Sequence, residues 1–497
     1  MKAEHTTTLQ KGRNFPPGPA LLMPKLLLLL ALLLISVNVR GQIMFENHYG
    51  GSNTDGGSCV IQTNDNGYMV VGHTESFGAG GRDVYLIRTD EYGTELWART
   101  YGGPANDQAG CLIEIANNEY IITGITSSVG AGASDIYVVK LLSNGDTVWT
   151  RSYGWASDET GSTIIRLSDE NFIVTGSTSS FGSGLEVLVI EMNNNGDTVW
   201  SKRYGKMNGN VGCKTIQTTD NRLLICGSTF NIGFNNTRNV YAIKTTPIGD
   251  TIWTKTYGGS DDDQAFSACL SSDNCYIISG STKSFGEGGY DMFLMKLDTA
   301  GNELWFKTYG GVEDDWGGMV QPTDDNGYII TGYTESYGAG GWDVYLIKTN
   351  ELGDTLWTRT FGGLGDEHGS CVKQTSDNGY IISSYSNSYS SSYDVLLIKT
   401  NSQGIVGFQK IFGSPDYIEI YPNPNNGSFS VELFKTHRNK LTLSVYDING
   451  RLCYKHNGLF DQTSIERIEL TNLPDGFYIV NIQGDSFSVN KKIIINN

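Results

Sequence analysis

The stretch Asn144–Gly154, NGDTVWTRSYG, decides the fold because it is not unique. Tryptophan recurs at 97, 149, 200, 253, 305 and 357, at intervals of 52, 51, 53, 52 and 52 residues. Phe45 lies 52 residues before the first and Phe408 lies 51 after the last. Four residues after each aromatic comes a Tyr/Phe-Gly pair, headed by Tyr49, Tyr101, Tyr153, Tyr204, Tyr257, Tyr309, Phe361 and Phe412. Eight such markers enclose seven units. A motif carried by every unit is scaffold, not a single active site.

Each unit reads as four short strands. After Tyr309, a first strand near GGMVQPT ends at the turn Asp324–Gly327, whose Asn-Gly pair is a hairpin signal. YIITGYT follows, then the glycine-rich loop SYGAGG, then DVYLIKT (Asp343–Thr349), apolar at nearly every position as for a strand covered on both faces. The turn NELGD leads into TLWTRTF, where Leu356 and Trp357 stand beside polar Thr358 and Arg359, as in an outer strand with one wet face. Four strands per unit near this period predict an all-β fold, a seven-bladed β-propeller over residues 42–412. Closure needs a strand from one end of the chain, and both 43–48 and 405–410 are candidates.

The unit Asp298–Gly311, DTAGNELWFKTYGG, resembles the tryptophan-docking repeats of quinoprotein-type propellers. It is also similar to the repeats of secreted bacterial propellers. The resemblance implies an indole wedged between neighbouring blades, and it specifies fold far better than activity.

The two ends of the chain carry addresses. From Met23 the sequence MPKLLLLLALLLISVNVRGQ has one lysine, an apolar run from Leu26 to Ile35 and Val39-Arg40-Gly41, which predicts a signal peptide over 23–41 cleaved before Gln42. That run is too short to span a membrane, so no transmembrane segment is expected after cleavage. Residues 1–22, upstream of a second methionine, read as an extension that adds nothing to the signal. After Gly413 the repeat stops. Ile418–Leu433, Leu443–Tyr454, Leu473–Ile482 and Lys491–Asn496 read as short alternating strands split by Pro-Asn, Asn-Gly and Asp-Gly turns, a small Ig-like β-sandwich over 413–497. In order and spacing these four motifs resemble the type A C-terminal sorting domain of type IX secretion cargo. Lys491 and Lys492 match the basic pair placed before the last strand of such domains. The resemblance implies the type IX machinery as partner and a protein secreted or attached to the outer cell surface.

Composition narrows the function. A formal charge of −18 argues against a nucleic-acid partner. There is no H-E-x-x-H, C-x-x-C, G-x-S-x-G or P-loop pattern, so no catalytic residue is assigned. Eight cysteines look like substitutions within the repeat: Cys59, Cys111 and Cys371 share a position with Thr163, Lys214, Ser267 and Met319. Cys213 and Cys226 are the one pair whose spacing suggests facing thiols.

What remains is the rim where entry loops and the loops between second and third strands open together. One entry position carries Asp55, Asp107, Glu159, Asp263, Asp315 and Glu367, with Asn210 as exception. Three tryptophans outside the repeat, Trp155, Trp316 and Trp342, fall in the same loops, near Phe77, Phe181, Phe285, Tyr337 and Tyr389. Carboxylates and exposed indoles together suit hydroxyl groups, sugar faces or calcium. No other cofactor is implied. The expected function is a binding or adhesion module for glycan, protein or matrix. An extracellular polymer-acting enzyme at the same mouth and a purely structural surface protein stand as alternatives. Each acid also has a structural reading as a cap on backbone amides. Asp83, Asp135, Asp291, Asp343 and Asp394 open third strands, with Arg88, Lys140, Lys296, Lys348 and Lys399 five residues on, a regularity that suggests structural pairing.

Overall fold

The computed structural model describes residues 43–497 except 116–117, 183, 206–208, 231–236, 407–416, 422–426, 435–438, 448–449, 461–462, 471, 484–487 and 496–497. The expected signal peptide and its upstream extension lie outside the described residues. No helix among the described residues is long and apolar enough to cross a membrane.

Seven successive four-stranded antiparallel sheets form the blades of a propeller. Blade 1 runs through Asp55–Gln62, Tyr68–Thr74, Asp83–Thr89 and Glu95–Tyr101, and blades 2 to 6 repeat that order. Blade 7 supplies only Glu367–Gln374, Tyr380–Ser386 and Asp394–Thr400 from its own repeat. Its outer strand is Phe45–Tyr49 from the start of the propeller, antiparallel to the third strand with Phe45 opposite Lys399 and Tyr49 opposite Val395. Of the two segments able to close the ring, the N-terminal one does so.

Local chemistry fixes each hairpin. The first turn of every blade holds a left-handed residue: Asn66, Asn118, Asn221, Asn274, Asn326, Asn378 and, in blade 3, Glu170 at φ 73°. Asparagine tolerates that conformation and glutamate does not, so Glu170 carries local strain. Third strands are mostly buried, along their whole length in Asp83–Thr89 and Asp343–Thr349 and less fully in Arg238–Thr245. Outer strands are half-exposed, and the residue before each tryptophan is an extra, bulged one. Thr89 pairs with Glu95 and Arg88 with Trp97, which leaves Leu96 unpaired and 57% exposed. The bulge explains the adjacent Leu356-Trp357, and it roughens an edge that would otherwise template aggregation.

Each blade grips the next through its outer strand. The Trp97 ring lies against Gly145 in the turn between the third and outer strands of blade 2, where a Cβ would come within 3.0 Å of the indole. Trp149 meets Gly196, Trp253 meets Gly301, Trp305 meets Gly353 and Trp357 meets Gly404 in the same way, and Phe45 takes the indole's place against Gly93. These glycines have φ between +69° and +84°, so the turn needs both the missing side chain and the left-handed backbone. Tyr101 Oη then donates to the Gly145 carbonyl at 2.6 Å, Tyr153 to Gly196 at 2.5 Å, Tyr309 to Gly353 at 2.6 Å, and Tyr49 across the seam to Gly93 at 2.5 Å. Phe361 has no hydroxyl to do this. Phe361→Tyr is expected to supply the missing bond between blades 6 and 7, raising stability by about 1 kcal/mol in thermal melts.

The regular cations do pair structurally, but not with the acid that opens their own strand. Five residues along a strand separate side chains by roughly 16 Å. Arg88 instead reaches Asp65 in the first hairpin turn at 2.5 Å, Lys140 reaches Glu119 at 2.9 Å, and Lys348 and Lys399 reach Asp325 and Asp377 at 2.9 Å each.

Past the propeller, Tyr417–Tyr421, Ser428–Phe434 and Thr463–Glu469 form a three-stranded sheet. Leu452–Phe460, Asn439–Asp447, Gly476–Gln483 and Ser488–Ile495 form a four-stranded one. Phe429, Val431 and Ile468 of the first share one core with Leu443, Val445, Val480, Ile482 and Ile493 of the second, which makes a small sandwich. Lys491 and Lys492 stand within the last strand rather than before it, opposite Val480 and Ile479.

Candidate functional site

The acids that recur at the entry position do not line an open mouth. Asp55, Asp107, Glu159, Asp315 and Glu367 are 0% exposed, and Asp263 is 2% exposed. Each is committed within the blade through at least one oxygen, although Oδ1 of Asp55, Asp107 and Asp315 is buried without a hydrogen-bond partner. Asp107 accepts from the Gly103 amide at 2.8 Å and from Ser128 Oγ at 2.6 Å. Asp55 and Asp315 take the equivalent pairs, Gly51 with Ser76 and Gly311 with Ser336, all at 2.7 Å. Glu159 accepts from the Trp155 amide at 2.7 Å, and Glu367 accepts from the Gly363 amide at 2.7 Å and Ser386 Oγ at 2.6 Å. Asp263 takes the Gly259 amide at 2.7 Å and Ser284 Oγ at 2.8 Å. The carboxylate ring is a set of caps that ties each entry loop to the loop after its second strand. Among the described residues no group of three or more His, Cys, Asp or Glu gathers to hold a metal ion.

At the junctions these caps approach the acids that open third strands. Gly310 is flanked by Asp291 and Asp315, and Gly362 by Asp343 and Glu367, with the carboxylate oxygens so close that either glycine's Cβ would collide with both. Burial, with Asp315 and Glu287 adding repulsion, pushes the Asp291 carboxyl up to about 6, and burial with Glu367 does the same for Asp343. Their folded pKa values exceed the unfolded ones, so the folded state binds the extra proton. Stability from these groups therefore increases as pH falls from about 6 toward about 4. Blade 4 already has Asn239 at this position, beside Gly258. Asp343→Asn is expected to raise the melting temperature at pH 7.5 and to flatten the rise expected in melts of the parent between pH 7 and 4.5.

The carboxylates nearer solvent stand one residue earlier. Asp262, Asp314 and Asp366 are half-buried, whereas Asp158 is exposed. Asp262 accepts from Tyr290 Oη at 3.0 Å, Asp314 from the Tyr290 amide at 2.8 Å, and Asp366 from the Trp342 amide at 3.1 Å and Tyr393 Oη at 3.2 Å.

Around these acids the seven-fold repeat breaks. Trp316 and Tyr333 are near neighbours on the first two strands of blade 6, in direct register, and His368 and Tyr385 hold the same places in blade 7. Blades 1 to 5 put Gly56 and His73, Gln108 and Ile125, Thr160 and Ser177, Val211 and Ser228, and Gln264 and Ser281 there. The residue before the third strand is Tyr290, Trp342 or Tyr393 in blades 5 to 7, against Arg82, Ser134 and Leu185 in blades 1 to 3, and Arg238, which opens the strand itself, takes the place in blade 4. The aromatics form one continuous arc. Tyr290 lies 4.2 Å from Trp316 between ring centroids, and Trp316 lies 6.5 Å from Tyr333 in a stacked arrangement. Tyr333 meets Trp342 edge-on at 5.0 Å and His368 at 4.4 Å. His368 stacks on Tyr385 at 4.8 Å, and Tyr385 meets Tyr393 at 5.4 Å. All seven are half-buried. Burial lowers the His368 pKa despite Asp366 and Glu367, so its imidazole is neutral at physiological pH, with Nδ1 buried and without a hydrogen-bond partner.

Of the three candidate tryptophans, Trp316 and Trp342 thus flank Tyr333 in this arc. Trp155 stands elsewhere, edge-on to Phe181 at 4.6 Å and packed against the core of the first blades. The loop aromatics fold back over their own entry loops, as where Tyr337 Oη donates to the Gly310 carbonyl at 2.7 Å. Tyr333, His368 and Tyr385 escape a search confined to loops because they sit within strands. The signal that finds them is departure from the repeat at aligned positions.

The fold and its last domain together define a class: an exported propeller that carries its own secretion signal. Residues 419–496 match the family model described as the secretion system C-terminal sorting domain. That domain marks the chain as type IX secretion cargo, delivered to the cell surface or beyond. None of the curated proteins matches the chain. Among solved structures the chain is similar to puromycin hydrolase, at 11% identity and a TM-score of 0.47 over 77% of this chain. The match spans 59% of the hydrolase, under two thirds of its length. Sqt1 from Chaetomium thermophilum is 10% identical with a TM-score of 0.40, covering 91% of this chain and 100% of that one. Endo-1,5-alpha-L-arabinanase from Thermotoga petrophila RKU-1 is 9% identical with a TM-score of 0.29, covering 71% and 99%. At these levels of likeness none bears on activity.

Proposed function

We propose that the exported propeller is a binding module that holds a carbohydrate on the aromatic arc of blades 5 to 7. The observation that carries this reading is the asymmetry of the ring. Positions that are small, aliphatic or polar in most blades become Trp, Tyr or His at neighbouring places in three adjacent blades, and nothing in the repeat requires it. Indole and phenol faces stack on the C–H faces of sugar rings, and the half-buried carboxylates Asp314 and Asp366 supply acceptors for hydroxyl groups. The acids also cap backbone amides, as Asn106 of blade 2 does for Arg82, so what a scaffold role leaves unexplained is the restriction of the rings to one side of the wheel. Delivery to the cell surface places such a site where polymeric glycans are met.

The mature full-length chain is the material for a glycan array, run with and without a calcium chelator. Trp316→Ala combined with Trp342→Ala is expected to weaken binding of any captured glycan by ~100-fold or more. Trp155→Ala should change it little. Undiminished binding by the double variant, or no glycan captured by the parent chain, contradicts the reading, and turnover of a bound polymer would replace it with an enzyme.

A further inference from the structure

The innermost strands carry a second departure from the repeat. Cys371, Cys59 and Cys111 occupy one equivalent position in blades 7, 1 and 2, where blades 3 to 5 have Thr163, Lys214 and Ser267. All three are buried, at 1%, 4% and 6% exposure. Cys371 Sγ and Cys59 Sγ lie 3.9 Å apart, and Cys371 Sγ also accepts from the Val60 amide at 3.4 Å. Cys111 Sγ lies 4.0 Å from the Ile164 carbonyl of blade 3. All eight cysteines are thiols in this structure. By contrast, Cys213 is the bulged residue of its strand, and Lys214 rather than Cys213 pairs with Cys226.

We infer that Cys59 and Cys371 form a disulfide that locks the first blade to the last in the exported protein. The two sulfurs belong to strands separated by 312 residues and meet only because the ring closes. Blades 1 and 7 flank the seam at which the wheel is held by one five-residue strand. The sulfurs already touch across the junction of blades 7 and 1, and a bond would shorten their 3.9 Å separation to about 2 Å. The chain leaves the cytosol, and compartments outside it favour disulfides. A bridge across so long a loop restrains the unfolded chain more than one between consecutive blades would.

The chemistry balances by exchange with a disulfide-bonded oxidant protein. One cysteine thiolate attacks the oxidant's disulfide, forming a mixed disulfide and releasing one oxidant thiol. The second cysteine attacks the sulfur of the first, forming Cys59–Cys371 and releasing the other oxidant thiol. Two protons and two electrons pass from the pair to the oxidant, whose disulfide becomes a dithiol. Since both thiols are buried in the closed ring, the exchange belongs to the stage when blades 1 and 7 first meet.

The test is peptide mapping of the full chain recovered after export, alkylated under denaturing, non-reducing conditions. The expected result is a linked Cys59–Cys371 peptide with Cys111 alkylated, retained in Cys111→Ser and lost in Cys371→Ser. Reduction should lower the melting temperature of the parent by about 5–10 °C, and Cys371→Ser should melt at that lower value with or without reductant. Three alkylated thiols, a Cys59–Cys111 bridge, or a bound metal ion shared by the thiols would each overturn the proposal.

Discussion

A chain starting at Gly50, without Phe45–Tyr49, is expected to lose blade 7 as a cooperative unit. The deletion strips the outer partner from Asp394–Thr400 along five paired residues. It also removes the Phe45 ring from its 5.8 Å contact with Tyr68 and the Tyr49 bond to Gly93. Loss of one buried aromatic alone costs about 3–5 kcal/mol. Two aromatics and a strand ladder therefore approach the whole stability of an ordinary domain, about 5–15 kcal/mol. The third strand, buried from Val395 to Thr400 and rich in Val395, Leu396, Leu397 and Ile398, becomes an exposed apolar edge. The shortened chain should aggregate, melt more than 10 °C below the parent and be cut first by protease between Tyr380 and Thr400. An unchanged melting curve would mean that something other than this strand closes the ring.

The second large effect separates scaffold acids from ligand acids. Asp315→Ala leaves the half-buried Gly311 amide and Ser336 hydroxyl, both at 2.7 Å from the lost oxygen, without that acceptor. Each orphaned group costs about 1–3 kcal/mol, so the variant should lose roughly 2–4 kcal/mol in denaturant melts. Asp315→Asn keeps an accepting oxygen and should lose under about 1 kcal/mol, as the natural Asn210 of blade 4 suggests. A carboxylate that served a ligand would behave differently. Its Asn variant would fold normally and fail to bind.

Strand positions, blade number and the sorting domain are legible in the sequence because they rest on spacing. Tryptophan every 52 residues and an Asn-Gly turn between apolar runs both follow from what one blade needs to pack on the next. Closure is not legible, since Phe45 and Phe408 stand 52 and 51 residues from their neighbouring tryptophans, both within the repeat's own spread, and only pairing with Asp394–Thr400 selects the first. The entry acids mislead for a physical reason. Strict recurrence at 55, 107, 159, 263, 315 and 367 marks a need shared by all blades, and a buried cap is such a need. The half-exposed Asp262, Asp314 and Asp366 lie one residue upstream and vary around the ring, with Asn106 in place of the acid in blade 2. Variation is likewise what distinguishes Trp316, Tyr333 and His368 from Trp305 and Trp357. Their contacts with one another depend on which faces of blades 6 and 7 meet, which no spacing rule supplies.

Hydrogen exchange of the full mature chain, with and without the best-bound glycan of the array, tests most directly whether repeat-breaking residues make the binding face. Ligand should slow exchange in the backbone segments 314–318, 331–343, 366–369 and 384–394 and leave the matching segments of blades 1 to 3 unchanged. Slowing spread evenly over all seven blades, or confined to blades 1 to 3, would contradict it.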